Sequence, residues 1–147
     1  MKKFLLLLMV GVVAMMTWSC GDDDDDKETK VPFDTLPQAA QTFINQYFAG
    51  DTPVRVELEA NKYDVRLKSG FEIEFDTTGQ WIDVDAPNGQ TVPDGIVPEK
   101  ILEYITANYL GAYVDEISRN ASGYEVDLTD GHDLFFDKDC NFIRATK

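Results

Sequence analysis

Residues 40–48 carry one hydrophobic period and residues 54–84 another. Ala40, Phe43, Ile44, Tyr47 and Phe48 fall at i, i+3, i+4, i+7 and i+8, the apolar stripe of one helix face. Pro37 suits the first turn of that helix and Gly50 the position just past its end. From Val54 onward the period becomes two. Val54, Val56 and Leu58 alternate with Arg55, Glu57 and Glu59; Tyr63, Val65 and Leu67 with Asp64, Arg66 and Lys68. Phe71, Ile73 and Phe75 then alternate with Glu72 and Glu74, and Ile82 and Val84 with Asp83 and Asp85. The pattern predicts a helix followed by a four-stranded antiparallel meander, with one sheet face buried under the helix and the other wet.

The same pattern returns at a constant offset of 61 residues, with no gap, when 36–86 is laid over 97–147. Pro37/Pro98, Ile44/Ile105, Gly50/Gly111, Tyr63/Tyr124, Val65/Val126, Leu67/Leu128, Gly70/Gly131, Phe75/Phe136 and Asp76/Asp137 are identical. Ile101, Tyr104, Ile105 and Tyr109 repeat the helical stripe. Keeping Leu67 and Phe71 on one face requires Lys68-Ser69-Gly70 to be a three-residue loop with Gly70 left-handed, and Thr129-Asp130-Gly131 does the same later. The expected fold is α+β, a tandem duplication of a helix plus a four-stranded sheet. Its units are 32–86 and 97–147, joined by the Pro- and Gly-rich linker 87–96. The pattern leaves open whether the two sheets join.

The N-terminus adds a location. Lys2 and Lys3 precede an apolar stretch, Phe4 to Met16, that is shorter than the roughly 20 residues of a spanning helix, so 1–19 reads as a signal peptide. Met16-Thr17-Trp18-Ser19-Cys20 resembles a bacterial lipobox, which makes Cys20 a lipid anchor; Thr17 and Trp18 depart from the usual pair at those positions. The other reading is an ordinary signal peptide with an unmodified thiol. The acidic segment 20–31, with Asp22 to Asp26 at its heart, has no means of collapse and reads as a tether. With Cys20 lipidated, Cys140 has no partner for a disulfide, so stability rests on the core.

Charge narrows the partners. The chain holds 13 Lys and Arg against 27 Asp and Glu, a net charge of −14, and losing the signal's two lysines makes it more acidic. Nucleic acid and anionic membrane surfaces are disfavoured, and the only membrane contact expected is the lipid anchor. A basic protein or peptide, or a divalent cation, fits the sign.

The stretches VPEKILEYI, GYEVDL and GHDLFFDKDCNFI resemble the PepSY-like family of periplasmic and surface lipoproteins of Bacteroides-type bacteria, over roughly residues 32–147. The resemblance implies the fold of the β-lactamase-inhibitor protein, and an outer membrane lipoprotein on the cell surface or periplasmic face. The related PepSY module implies a restraint on peptidases. Cys140 departs from the pattern, because the matching position of the first unit is Gly79.

Strand phase places candidate residues on the wet face. Asp64, Glu74 and Asp83 form one row, with Arg66, Glu72 and Asp85 beside it, and the second unit has Glu125, Phe135 and Arg144 at the first row's positions. Like charges opposite one another destabilise a sheet. The row reads as a Ca²⁺ or small-ligand site, as a docking patch for a basic partner, or as the solvated face of an acidic protein; no EF-hand spacing supports a metal. Trp81 and its mate Phe142 fall on the same face by phase, with Phe135 and Arg144 nearby, and are candidate partner-binding anchors. The alternative is that a bulge or the other unit covers the two rings.

No cofactor motif is present, and enzyme readings find little footing. His132 is the single histidine and has no Cys or second His at triad or ligand spacing. Cys140 sits beside Asp139, which disfavours a thiolate. The expectation is a non-enzymatic envelope protein that binds a protein or peptide through its wet sheet face.

Overall fold

Each strand of the protein pairs with the next one along the chain. The computed structural model describes residues 29–147; the signal segment, Cys20 and the run Asp22 to Asp26 lie outside the described residues. The strands are β1 (Thr29–Lys30), β2 (Pro53–Glu59), β3 (Lys62–Leu67), β4 (Glu72–Asp76) and β5 (Trp81–Asp85), then β6 (Val114–Asn120), β7 (Gly123–Leu128), β8 (Asp133–Asp137) and β9 (Phe142–Thr146). Helix α1 (Gln38–Tyr47) precedes β2 and helix α2 (Glu99–Asn108) precedes β6. All nine strands form one antiparallel sheet in sequence order. The order helix then four strands therefore occurs twice. The two sets of strands join through β5 and β6, where Asp83 faces Ser118, Val84 faces Ile117 and Asp85 faces Glu116.

Both helices lie on one side of this sheet because the period-two apolar residues of β3, β4, β7 and β8 point there. Val65, Ile73, Val84, Ile117, Val126 and Leu134 face one another across six successive strands, and none has any exposed surface. Burying such a side chain contributes about 1.5–3 kcal/mol, so the row binds the two halves into one core. Ile44 of α1 and Ile101 and Ile105 of α2 complete the core. Phe43 meets Phe75 edge-on at 5.6 Å, and Tyr104 meets Phe136 in the same way at 5.5 Å.

The turns follow the expected chemistry. Gly70 (φ 103°) and Gly131 (φ 86°) occupy the left-handed position of their three-residue loops. The Gly70 N–H donates to the Leu67 carbonyl and the Leu67 N–H to the Phe71 carbonyl, both at 2.9 Å. In the next turn, Asp76 Oδ1 accepts the backbone N–H groups of Thr78 and Gln80 at 2.8 and 3.0 Å. Gly79 there lies so close to α1 that a Cβ would stand 2.8 Å from the Pro37 Cβ. Cys140, its counterpart, is held at φ 59° and packs against the core.

Two segments differ from expectation. Thr29 and Lys30, expected in the tether, pair with Leu58 and Glu57, and the Val31 N–H donates to the Val56 carbonyl at 2.9 Å. The segment 87–96, expected as a linker, also places Val92 and Ile96 in the core, and the Val92 N–H donates to the Val114 carbonyl at 2.8 Å. Apolar residues at these two positions are what a Pro- and Gly-based reading overlooked.

Candidate functional site

The sheet face away from the helices is covered by neither helix. Its side chains line up in rows because the register is regular through the middle of each strand. One row runs Glu57, Asp64, Glu74, Asp83, Ser118, Glu125, Phe135, Arg144. Asp64, Glu74 and Asp83 thus stand side by side, and the positions Glu125, Phe135 and Arg144 continue the same row. The neighbouring row runs Arg66, Glu72, Asp85, Glu116, Asp127, Asp133. Its second half, from Glu116 onward, escaped sequence reasoning. The alternation of Tyr124, Val126 and Leu128 was visible, but its polar residues join this row only through the β5–β6 pairing.

Charge is compensated on one half of this face and not on the other. Lys62 Nζ lies 2.7 Å from Glu74 Oε1 and 3.2 Å from Glu59 Oε2, Arg66 pairs with Glu72, and Arg55 reaches Glu57 at 3.4 Å and Asp64 at 3.7 Å. Among the described residues, no basic side chain comes within ion-pair distance of Asp83, Asp85, Asp115, Glu116, Asp127 or Asp133. Their protonation reflects this. Burial, then the nearby carboxylates Glu116, Glu74 and Asp85, push Asp83 up to about 7. Glu116 raises Asp83 while Asp83 acts to lower Glu116, so of this pair Asp83 is the one favoured to hold a proton. Asp127 is pushed up to about 6 by burial and by Asp133, and burial also raises Asp85 and Glu116. Asp64 rises as well, since burial, joined by Glu72 and Glu74, outweighs Arg55.

The two large rings do not belong to this face. Strand phase placed Trp81 and Phe142 there, with Phe75 beside Ile82, but the ladder slips between Glu74 and Phe75 so that Phe75 faces Trp81 and Ile82 is the extra residue of a bulge. A one-residue slip exchanges the two faces of a strand. Trp81 consequently packs on the helix side, 6.4 Å from the Phe43 ring, with the Arg119 guanidinium 4.2 Å above it. The same slip between Phe135 and Phe136 makes Ile143 the bulge residue. Phe142 then stacks on Tyr104 of α2 at 4.5 Å, with 37% of its surface exposed. Phe135 and Arg144 do lie on the open face, paired across β8 and β9, with the guanidinium 3.6 Å over the ring.

The remaining polar candidates have local roles. His132 Nδ1 lies 2.9 Å from Asp130 Oδ1, and its ring rests edge-on against Tyr109 at 5.1 Å. Burial raises the Cys140 thiol, the opposite of what a nucleophile needs. Among the described residues, no three His, Cys, Asp or Glu side chains converge on a metal-sized point. No described helix is long and apolar enough to cross a membrane.

An antiparallel sheet with helices on one face and an open acidic face on the other defines an α+β module. The family model described as "Putative beta-lactamase-inhibitor-like, PepSY-like" matches residues 22–73 and 61–144, and the chain belongs to this PepSY-like family. It is similar to a "putative calcium-regulated periplasmic protein" of Bacteroides thetaiotaomicron: 33% identity, TM-score 0.79, 83% of this chain and 98% of that one covered. A "putative periplasmic protein of unknown function" of Bacteroides vulgatus is 31% identical (TM-score 0.78), over 82% of this chain and 99% of the other. A second "putative periplasmic protein" from that species is 33% identical (TM-score 0.78), with 86% of this chain and 100% of that one covered. No functionally curated protein matches the chain.

Proposed function

We propose that this chain is a non-enzymatic envelope protein, anchored to the outer membrane through Cys20, that binds a protein or peptide bearing basic surface through its open sheet face. On this reading the two halves are one duplicated unit, and the partner is an enzyme such as a peptidase that the binding restrains. The observation that carries the proposal is the run of carboxylates from Asp83 to Asp133, with which no basic side chain pairs among the described residues. The fold does not need that charge, since like charges opposite one another cost roughly 0.2–1 kcal/mol per pair. A partner's lysines and arginines would relieve it. The test is capture from native envelope extract by the full chain and by an Asp83→Asn/Glu116→Gln variant checked for folding. A basic protein held at low salt by the wild type and lost from the folded variant supports the reading; equal retention by both refutes it.

A second reading is Ca²⁺ binding along the same carboxylates, including the row Asp64, Glu74, Asp83. The "calcium-regulated" relative favours it, and hard cations seek carboxylate oxygens. It predicts a melting temperature that rises with Ca²⁺ in the wild type and not in Asp83→Asn. An unchanged wild-type melting temperature at millimolar Ca²⁺ removes it.

A further inference from the structure

We propose that a cavity at the end of the β5–β6 seam receives the cationic side chain, lysine or arginine, of the docked partner. This rests on the reading of the open face as a protein-binding surface and names its anchor. The cavity has a volume of about 390 Å³ and is lined by the loop 86–90 together with Tyr113, Asp115 and Thr129. The loop follows Asp85 of β5, Asp115 precedes Glu116 of β6, and Thr129 lies two residues beyond Asp127 of β7. The opening therefore sits just past the row Asp85, Glu116, Asp127.

The walls are fixed by backbone hydrogen bonds. The Ala86 N–H donates to the Asp115 carbonyl at 2.8 Å and the Gln90 N–H to the Pro87 carbonyl at 2.9 Å. The Thr129 N–H donates to the Tyr113 carbonyl at 2.9 Å, and the Tyr113 N–H donates back to Thr129 Oγ1 at 3.0 Å. A preformed cavity spares a ligand the cost of ordering it.

Asp115 supplies the chemistry. Its Oδ1 is buried and accepts no hydrogen bond, an arrangement that is costly unless something donates to it. The groups nearest in charge are further carboxylates: Asp115 acts on Asp85, Glu116 and Asp127 and helps to raise all three. A neutral donor would satisfy the oxygen and leave that charge uncompensated. A guanidinium or ammonium does both, as charge-assisted hydrogen bonds to carboxylates do. Tyr113, 63% exposed beside Asp115, presents an aromatic ring to the same cation. The fold itself does not ask for a carboxylate here, because the corresponding bulge of β2 carries Val54, 59% exposed.

The test is a ¹⁵N–¹H correlation titration of the full chain with acetyl-Gly-Arg-Gly-amide and with its citrulline counterpart, which has the same shape without the charge. The arginine peptide is expected to shift the amides of Gly89, Gln90, Tyr113 and Thr129, and the citrulline peptide to leave them in place. Asp115→Asn is expected to weaken the arginine peptide by roughly tenfold or more while melting no lower than the wild type. Tyr113→Leu, which removes an exposed ring, is a second variant that weakens binding without depending on the folding of the first. Equal binding of both peptides, or unchanged binding by the folded variants, overturns the anchor. An arginine nonapeptide separates the two readings. Salt-dependent binding that Asp115→Asn leaves intact removes the anchor and keeps the open face, whereas failure of every cationic peptide removes both.

Discussion

Replacing Asp83 by Asn should raise the stability of the protein at pH 8 and leave it unchanged at pH 4. Asp83 lies at the β5–β6 seam with Glu74 opposite, and burial, then Glu116, Glu74 and Asp85, push its carboxyl from 3.8 up to about 7. For a fully shielded group such a displacement corresponds to about 4 kcal/mol. Asp83 keeps part of its surface in water, and allowing for screening leaves roughly 2 kcal/mol. Below pH 4 the group is protonated in both folded and unfolded chains and contributes no difference. Between pH 4 and 7 the unfolded chain ionises while the folded one holds its proton, so wild-type stability falls as pH rises and levels off above 7. Asn cannot ionise and keeps nearly the same shape. The carboxyls of Asp76 and Asp137, lowered by hydrogen bonds within their turns, act in the opposite sense and only below the ordinary carboxylate range. Thermal melts from pH 4 to 8 should show the variant's advantage growing to roughly 6–8 °C for a domain of this size. Parallel profiles across that range would show that Asp83 ionises normally and that the seam is not crowded with charge.

Phe142→Ala should cost about 2 kcal/mol, below the range for a fully buried ring because part of the surface is exposed, and should weaken the near-UV dichroism of Tyr104, on which Phe142 stacks. Trp81→Ala should lower the melting temperature by a similar amount; a variant of either ring that melts like the wild type would return that ring to the open face. Gly79→Ala should cost more than the roughly 1–2 kcal/mol of a left-handed alanine, since its Cβ would also press on Pro37 at 2.8 Å, and denaturant unfolding measures the difference. Arg66→Ala should cost less than about 1 kcal/mol, because its ion pair with Glu72 is half exposed.

Local patterning was legible because it depends on residues close in sequence. The helical stripes Ala40 to Phe48 and Ile101 to Tyr109, the alternation through β2 to β4, the loops at Gly70 and Gly131, and the row Asp64, Glu74, Asp83 all follow from neighbours a few positions apart. Two things depended on more. The bulges at Ile82 and Ile143 reverse the side on which Trp81 and Phe142 emerge, and the available sign was the adjacency of two large apolar residues where strict alternation calls for one. The β5–β6 pairing was invisible because residues 86–113 carry no phase from one strand to the other. The longer carboxylate row and the cavity at its end were hidden for the same reason.

The strands stand in space in the order in which they are made, so most ladders close over a few residues. Only β1–β2 and β5–β6 span a helix-bearing connection. A chain of this low contact order folds quickly for a nine-stranded sheet, because little loop entropy is lost before each contact forms. An emerging N-terminal half can zip up β2 to β5 before α2 appears. What it then lacks is the partner for β5, whose open edge carries Val84 and the crowded Asp83. That edge is the one vulnerable to mispairing until β6 arrives, and its unneutralised carboxylates repel another copy of the same edge while they wait.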